Sequence, residues 1–266
     1  MTYRTIVSVI NEHSGSTVTA SYAIALATTT KARLVLYAAH PLGTSENILH
    51  HSERHLDHLF AIALEHGITV TRISEIGQTT RLLPKRVLAE NADLVFYPLL
   101  PNERYGATLQ TQNVHQLLRS IKADLAIMRI MHMGKPHPRH ILVPLGSGVP
   151  DQIRRVSFLT ALAQSFHAQI TLFHRHDNRA DRVPADFVKV RTALKQQQLT
   201  VLERTGTGPI AKTIALEAIS HHNDLIVLGA SERSPLRRLF FGNPSGDLMH
   251  APPCNAILFR AAPALP

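Results

Sequence analysis

The sequence predicts two tandem α/β domains, each built on a doubly wound parallel sheet. Three observations carry that expectation. Short apolar runs alternate with longer helical stretches, the alternation occurs twice, and the two copies match at both their starts and their ends. Strands alternating with helical segments imply βαβ units. A strand covered by helices on both faces reads as a continuous apolar run, and Asp224-Leu225-Ile226-Val227-Leu228-Gly229 reads that way.

Each copy opens on such a run, Thr5-Ile6-Val7-Ser8-Val9 in the first and His140-Ile141-Leu142-Val143-Pro144 in the second. A polar turn with Gly and Ser follows, then a helical stretch, SYAIALATTTKA or RVSFLTALAQSFHA. A second run comes next, Arg33-Leu34-Val35-Leu36-Tyr37 or Gln169-Ile170-Thr171-Leu172-Phe173. Towards the ends, residues 82–98 line up with 210–229, so that Lys85 pairs with Lys212, Glu90 with Glu217 and Asp93 with Asp224. The copies close on Leu125-Ala126-Ile127-Met128-Arg129 and Asn255-Ala256-Ile257-Leu258-Phe259-Arg260. Residues 131–138, MHMGKPHP, are rich in Gly and Pro without periodicity and read as a linker. The expected domains are therefore 1–130 and 139–266.

Composition narrows the function classes. A length of 266 residues suits two ordinary domains, and 44% hydrophobic residues give each a core. Aromatics are only 5% and Trp is absent, which argues against a sugar-stacking surface. The single cysteine, Cys254, excludes a disulfide framework and a cysteine-based zinc site, and fits a reducing compartment. No apolar run reaches the roughly 18 residues of a membrane helix, and the first residues do not form a signal peptide. A cytoplasmic location without membrane insertion is expected. The net charge of +9 favours acidic partners, but the basic residues are dispersed, so no specific nucleic-acid surface is expected.

In doubly wound sheets ligands bind beyond the carboxyl ends of the strands. The place to look is therefore just after Val143, Phe173 and Leu228. Gly229 ends a strand run, and Gly242-Asn243-Pro244-Ser245-Gly246 follows after a spacer. Asn is a favoured N-cap and Pro a favoured first helical residue. A helix start offers free N–H groups and a positive dipole end to an anion. Ser245 could add a hydroxyl, and Arg233, Arg237 or Arg238 a charge. The same residues also fit an ordinary helix cap after a strand-ending turn.

This stretch resembles the nucleotide-binding signature of the universal stress protein family, and the resemblance covers nearly the whole chain as two domains. Gly229 and Gly242 match the first and third signature glycines; Glu232 replaces the second, and Asn243 stands in the Ser/Thr position. The Pro253-Cys254 step before the last strand is also similar to the family pattern. The resemblance implies Rossmann-like, adenine nucleotide alpha hydrolase-like domains forming a pseudo-dimer through strands 125–129 and 255–260. It further implies a stress-response regulator that binds an adenine nucleotide (ATP, ADP or AMP, with or without Mg) in the second domain. The implied nucleotide-binding residues are Pro144, Gly146, Arg175, Gly229, Ser231, Gly242, Asn243, Pro244 and Ser245.

Departures from the family pattern point to an alternative. Gly146 takes the place of a family Asp after the first strand, and Glu232 puts a negative charge near the expected phosphates. In the first copy Asn11 takes the Asp place, Pro98 aligns with Gly229, and Thr111 with Gly242. Pro98 has no N–H to offer, so the first domain is expected to bind no nucleotide. The alternative is a nucleotide-independent interaction module. Tandem domains of this type resemble cytoplasmic regulatory parts of some transporters, so a transporter is the expected kind of partner, with intramolecular pairing or a homodimer.

Other groups give weaker signals. His51, His55 and His58 share one helix face, a spacing that suits zinc. They lie in a polar segment whose apolar side is Leu49, Leu56, Leu59 and Phe60, so a solvated face is expected and no metal. His174 and His176 flank the pocket mouth, while His221-His222 look like a polar helix end. Cys254 is expected to be packed. With no nucleophile–base pair and no paired carboxylates at the pocket, no catalytic residue is assigned, and weak ATP hydrolysis is the most an enzyme reading allows.

Overall fold

The computed structural model describes residues 3–99, 107–133, 137–146, 152–175, 183–230 and 252–263. The chain divides into two compact units, Met1–Ile130 with Ala261–Pro266, and Met131–Arg260.

The first unit runs β1 (Thr5–Ile10), α1 (Ser14–Thr30), β2 (Arg33–His40), α2 (Glu46–Glu65), β3 (Val70–Ile76), α3 (Thr79–Ala89), β4 (Leu94–Pro98), α4 (Ala107–Ser120) and β5 (Asp124–Arg129). Its strands lie in the order β3-β2-β1-β4-β5, all parallel. The second unit runs β6 (His140–Pro144), α5 (Gln152–Phe166), β7 (Gln169–Arg175), α6 (Ala185–Gln196), β8 (Val201–Gly206), α7 (Ile210–Ser220), β9 (Leu225–Gly229) and β10 (Asn255–Arg260). Its order, β8-β7-β6-β9-β10, is the same permutation and is again parallel. In each unit the winding reverses at the opening strand, which is the doubly wound fold that the apolar runs imply.

The central strands are covered on both faces. All of β1 is buried, as are Ile141 to Pro144 of β6 and Leu225 to Leu228 of β9. The edge strands differ. In β3 and β8 no residue is fully buried, and charged side chains such as Arg72, Glu75, Glu203 and Arg204 alternate along them. Charge on an edge strand discourages pairing with another chain.

The repeated polar residues have matched tasks. Asp93 Oδ2 accepts the backbone N–H groups of Arg4 (2.7 Å) and Thr5 (3.0 Å). Asp224 Oδ2 accepts those of Arg139 (3.0 Å) and His140 (3.2 Å). Each carboxylate thus ties the start of a unit's opening strand to the start of its neighbour. The helix exits match too. Lys31 and His167 follow α1 and α5, and Asn91 and His222 follow α3 and α7, at φ between 48° and 55°. A left-handed residue is the usual way to turn a chain out of a helix.

In the first unit α3 is strapped to the sheet by charge. Glu90 accepts from Arg33 Nη2 at 2.7 Å and from Arg86 Nη1 at 3.4 Å. Arg86 also donates to Glu75, which accepts the Tyr37 hydroxyl at 2.7 Å. The Arg33 hydrogen bond, assisted by Arg86, holds the Glu90 carboxyl below its ordinary value against the opposing effect of partial burial.

The histidine face on α2 is partly engaged. Buried Ser52, Leu56, Leu59 and Ala63 form its inner side. His51 lies against Arg54 Nη2 (2.8 Å), and the His55 ring nitrogen Nδ1 lies 2.9 Å from the Asn11 carbonyl oxygen. Among the described residues no group of three or more His, Cys, Asp or Glu side chains is placed to hold a metal ion. Among them, too, no helix is long and apolar enough to cross a membrane.

Candidate functional site

The carboxyl edge of the second unit's sheet is where its topology reverses, between β6 and its neighbours β7 and β9. Ligands favour such a point because two crossovers leave it in opposite directions and open a crevice. Four of the residues singled out from the sequence lie here. Pro144 is the last residue of β6 and is buried. Gly146 follows it by two, and a side chain built there would meet none of the described residues within 4 Å. Arg175 ends β7 and is half-buried. Gly229 ends β9.

The strand ends are held in register by the backbone. Pro144 pairs with Phe173 across β6 and β7, and the Leu145 N–H donates to the Phe173 carbonyl at 2.9 Å. His174 Nδ1 lies 3.3 Å from the Leu145 carbonyl oxygen, and its ring stands edge-on to Phe187 of α6 at 6.0 Å. On the other side the Ala230 N–H donates to the Phe259 carbonyl at 2.9 Å. His174 is thus committed to the loop after β6 and to α6. Ser231, Gly242, Asn243, Pro244 and Ser245 lie outside the described residues, as do His176, Glu232, Arg233, Arg237 and Arg238.

One side chain at this edge was missed in the sequence. Arg155, in the first turn of α5, is only 5% exposed. Its Nη1 lies 2.7 Å from the position that a Cβ of residue 229 would take. A Cβ there would have to displace the guanidinium, so Gly229 has a steric task besides ending the strand. Arg155 Nη2 reaches the Pro144 carbonyl oxygen at 3.4 Å, and Nε is buried without a hydrogen-bond partner among the described residues. The guanidinium therefore bridges the ends of β6 and β9. Burial pulls its pKa down to about 10, so it remains a cation at neutral pH. A signal for it exists: Arg155 shares the helical stripe of Phe158, Leu159, Leu162 and Phe166, all buried. A charge on a core-facing stripe is a flag for function.

At the equivalent edge of the first unit, Asn11 is tied into its own turn. The Asn11 side-chain oxygen accepts the His13 N–H at 3.0 Å, and the Asn11 N–H donates to Ser16 Oγ at 3.2 Å. Pro98 ends β4 and is buried, and Thr111 lies within α4. An open hollow of about 620 Å³ on this unit is lined by Gln112, His115, Gln116, Arg119 and Ser120 of one helix, α4. Cys254 is buried beside the start of β10, as its place after Pro253 suggested.

The fold defines a doubly wound α/β domain in the second unit, with Pro144, Gly146, Arg175 and Gly229 at the switch point of its sheet. The model of the universal stress protein family matches residues 137–260, and this part of the chain is a universal stress protein domain. No curated protein matches the chain. Among solved structures, a universal stress protein from Archaeoglobus fulgidus DSM 4304 superposes with a TM-score of 0.66 at 11% identity, over 97% of this chain and 95% of that one. A functionally unknown protein from Pseudomonas aeruginosa PAO1 does so with a TM-score of 0.64 at 15% identity, over 98% and 93%. The cytoplasmic domain of a prokaryotic cation chloride cotransporter has a TM-score of 0.61 at 10% identity, over 98% and 96%. At these identities the likeness is one of fold.

Proposed function

We propose that this protein is a stress-response regulator whose second unit binds an adenine nucleotide at the carboxyl edge of its sheet. The observation that carries the reading is the convergence of Pro144, Gly146, Arg175 and Gly229 at the ends of three adjacent strands, in the unit that matches the family model. The backbone after Gly146 and Gly229 would admit the ligand. Ser231, Gly242, Asn243, Pro244 and Ser245 would complete the site by the helix-start chemistry their sequence implies. The buried, unsatisfied Arg155 Nε supports an anionic ligand. A magnesium ion would arrive with the phosphates of ATP rather than on a protein cage. The nucleotide would supply a charge- and shape-dependent signal; this chain's residues bind and orient it.

The repeat supports a second proposal within the same reading, that the first unit is a diverged domain of the same family. Its matched strand order and its matched Asp93 carboxylate carry that argument. With Asn11 tied into its own turn and Pro98 lacking an N–H, its task would be to support the second unit rather than to bind nucleotide.

Calorimetry of the full chain with ATP, ADP and AMP, together with mass spectrometry of what co-purifies, tests the main reading. Saturable binding that Gly242→Asp abolishes is the expected result. A protein that purifies free of nucleotide and gives no heat with any of the three would overturn it. One observation favours a second reading: Gly146 offers no carboxylate where the family has Asp. The chain would then be a nucleotide-independent module that docks on a partner such as a transporter, a role for which the cotransporter domain above supplies only a fold precedent.

A further inference from the structure

We propose that Arg155 is the anion receptor of the second unit, taking an oxyanion of the phosphate class between the ends of β6 and β9. This rests on the reading of that edge as a ligand site, and it names the charge that the ligand must present.

The argument begins with what the side chain lacks. A guanidinium carries five N–H donors in a rigid fork. Among the described residues those of Arg155 make one hydrogen bond, to the Pro144 carbonyl oxygen, and at 3.4 Å it is long. Nε, shielded from water, has no partner among the described residues. Among the described residues no carboxylate pairs with it. Buried arginines are ordinarily matched by a carboxylate or phosphate, because an isolated charge away from water is costly.

The position of the fork is equally specific. Nη1 lies 2.7 Å from the position that a Cβ at residue 229 would take, and Nη2 reaches β6, so the guanidinium spans two strands that are neighbours in the sheet. Beyond β6, a side chain at Gly146 would meet none of the described residues within 4 Å. Arg155 also sits in the first turn of α5, whose dipole adds a positive potential at the same place. A bidentate oxyanion satisfies the fork with two parallel hydrogen bonds. A water or a backbone carbonyl would leave the charge unmatched. The source of the oxyanion, inorganic or carried by a nucleoside, is a matter for the test.

The test uses the full chain, with thermal melts and calorimetry of the wild type, Arg155→Gln and Arg155→Lys, against pyrophosphate, AMP and adenosine. Pyrophosphate and AMP should raise the Tm of the wild type. Arg155→Gln should weaken both by at least tenfold and leave any adenosine binding unchanged. Arg155→Lys keeps the charge without the fork and should fall between; it also serves if the glutamine variant does not fold. Equal affinity of Arg155→Gln and wild type for pyrophosphate and AMP would overturn the inference, as would a wild type that responds to neither. AMP binding that ignores Arg155 would sink the inference and leave the nucleotide reading standing. Arg155-dependent pyrophosphate binding with AMP no tighter would do the reverse.

Discussion

Arg155→Met should make the ligand-free protein more stable, against the common expectation for a buried position. Burial lowers the Arg155 pKa to about 10. A group depressed that far from the usual arginine range is penalised by roughly 3 kcal/mol while charged. Its Nε adds the cost of a buried donor without an acceptor, about 1–3 kcal/mol. Against this stands the packing of the buried stem, which methionine largely keeps because it is long and adaptable. Replacing buried charge by an apolar group of similar volume has stabilised other proteins by about 1–4 kcal/mol. A gain of about 1–3 kcal/mol is expected here. The pH dependence follows from a lowered basic pKa. The cost is borne wherever Arg155 is protonated, so the advantage of Arg155→Met should be constant across neutral pH. It should shrink only as pH rises through about 10, where the wild type sheds the charge in its folded state. Urea denaturation of dialysed protein, followed by circular dichroism, reads both effects. A midpoint that falls on substitution would show that the guanidinium is satisfied in the apo protein, and the reasoning for an anion receptor would fail with it.

Three further outcomes are expected. Asp93→Ala and Asp224→Ala each remove an acceptor shared by two backbone N–H groups, so each should cost about 0.5–1.5 kcal/mol in denaturant unfolding; a loss in one copy and none in the other would break the equivalence of the repeats. The Glu90 carboxyl is held below its ordinary 4.5 by Arg33 first and Arg86 second. Its stabilising contribution is therefore present above about pH 4.5 and is lost as pH falls through the folded value, so Glu90→Gln should flatten the acid limb of a stability–pH curve. Gly229→Ala puts a Cβ 2.7 Å from Arg155 Nη1, the far end of a flexible side chain. The variant should fold with near wild-type Tm and lose phosphate affinity as Arg155→Gln does, measured by calorimetry.

Much of the fold was legible because parallel strands under helices leave a plain signature. The runs at β6 and β10 coincide with the elements His140–Pro144 and Asn255–Arg260. The edge strands were not seen. VTRISEI and VLERTG are half solvated, so their sequences answer to edge protection rather than to a core, and continuous apolarity was the wrong template for them. The repeated Asp was visible as a pairing of Asp93 with Asp224, but its work was not. A carboxylate that receives two N–H groups across a neighbouring strand depends on register, and register is not local.

The site shows the same limit from the other side. Gly229 is expected among the nucleotide-binding residues because it matches the first signature glycine, where a missing Cβ lets a ligand come close to the backbone. The structure gives it a different neighbour, the Arg155 guanidinium. Both uses need the missing Cβ, so the residue alone could not separate them. Arg155 was hidden for a related reason: in RVSFLTALAQSFHA it stands first in a helical stretch, where a charged residue looks like a solvated end. Only its phase with Phe158, Leu162 and Phe166 puts it on the buried stripe, and only the strand order puts that stripe's first turn beneath the ends of β6 and β9. A ligand that meets Arg155 there no longer needs every signature glycine to bring its backbone close, because a fork of N–H donors already waits at the edge. The departures at Gly146 and Glu232 therefore argue against a nucleotide held in the family manner more than against an anion held at this edge.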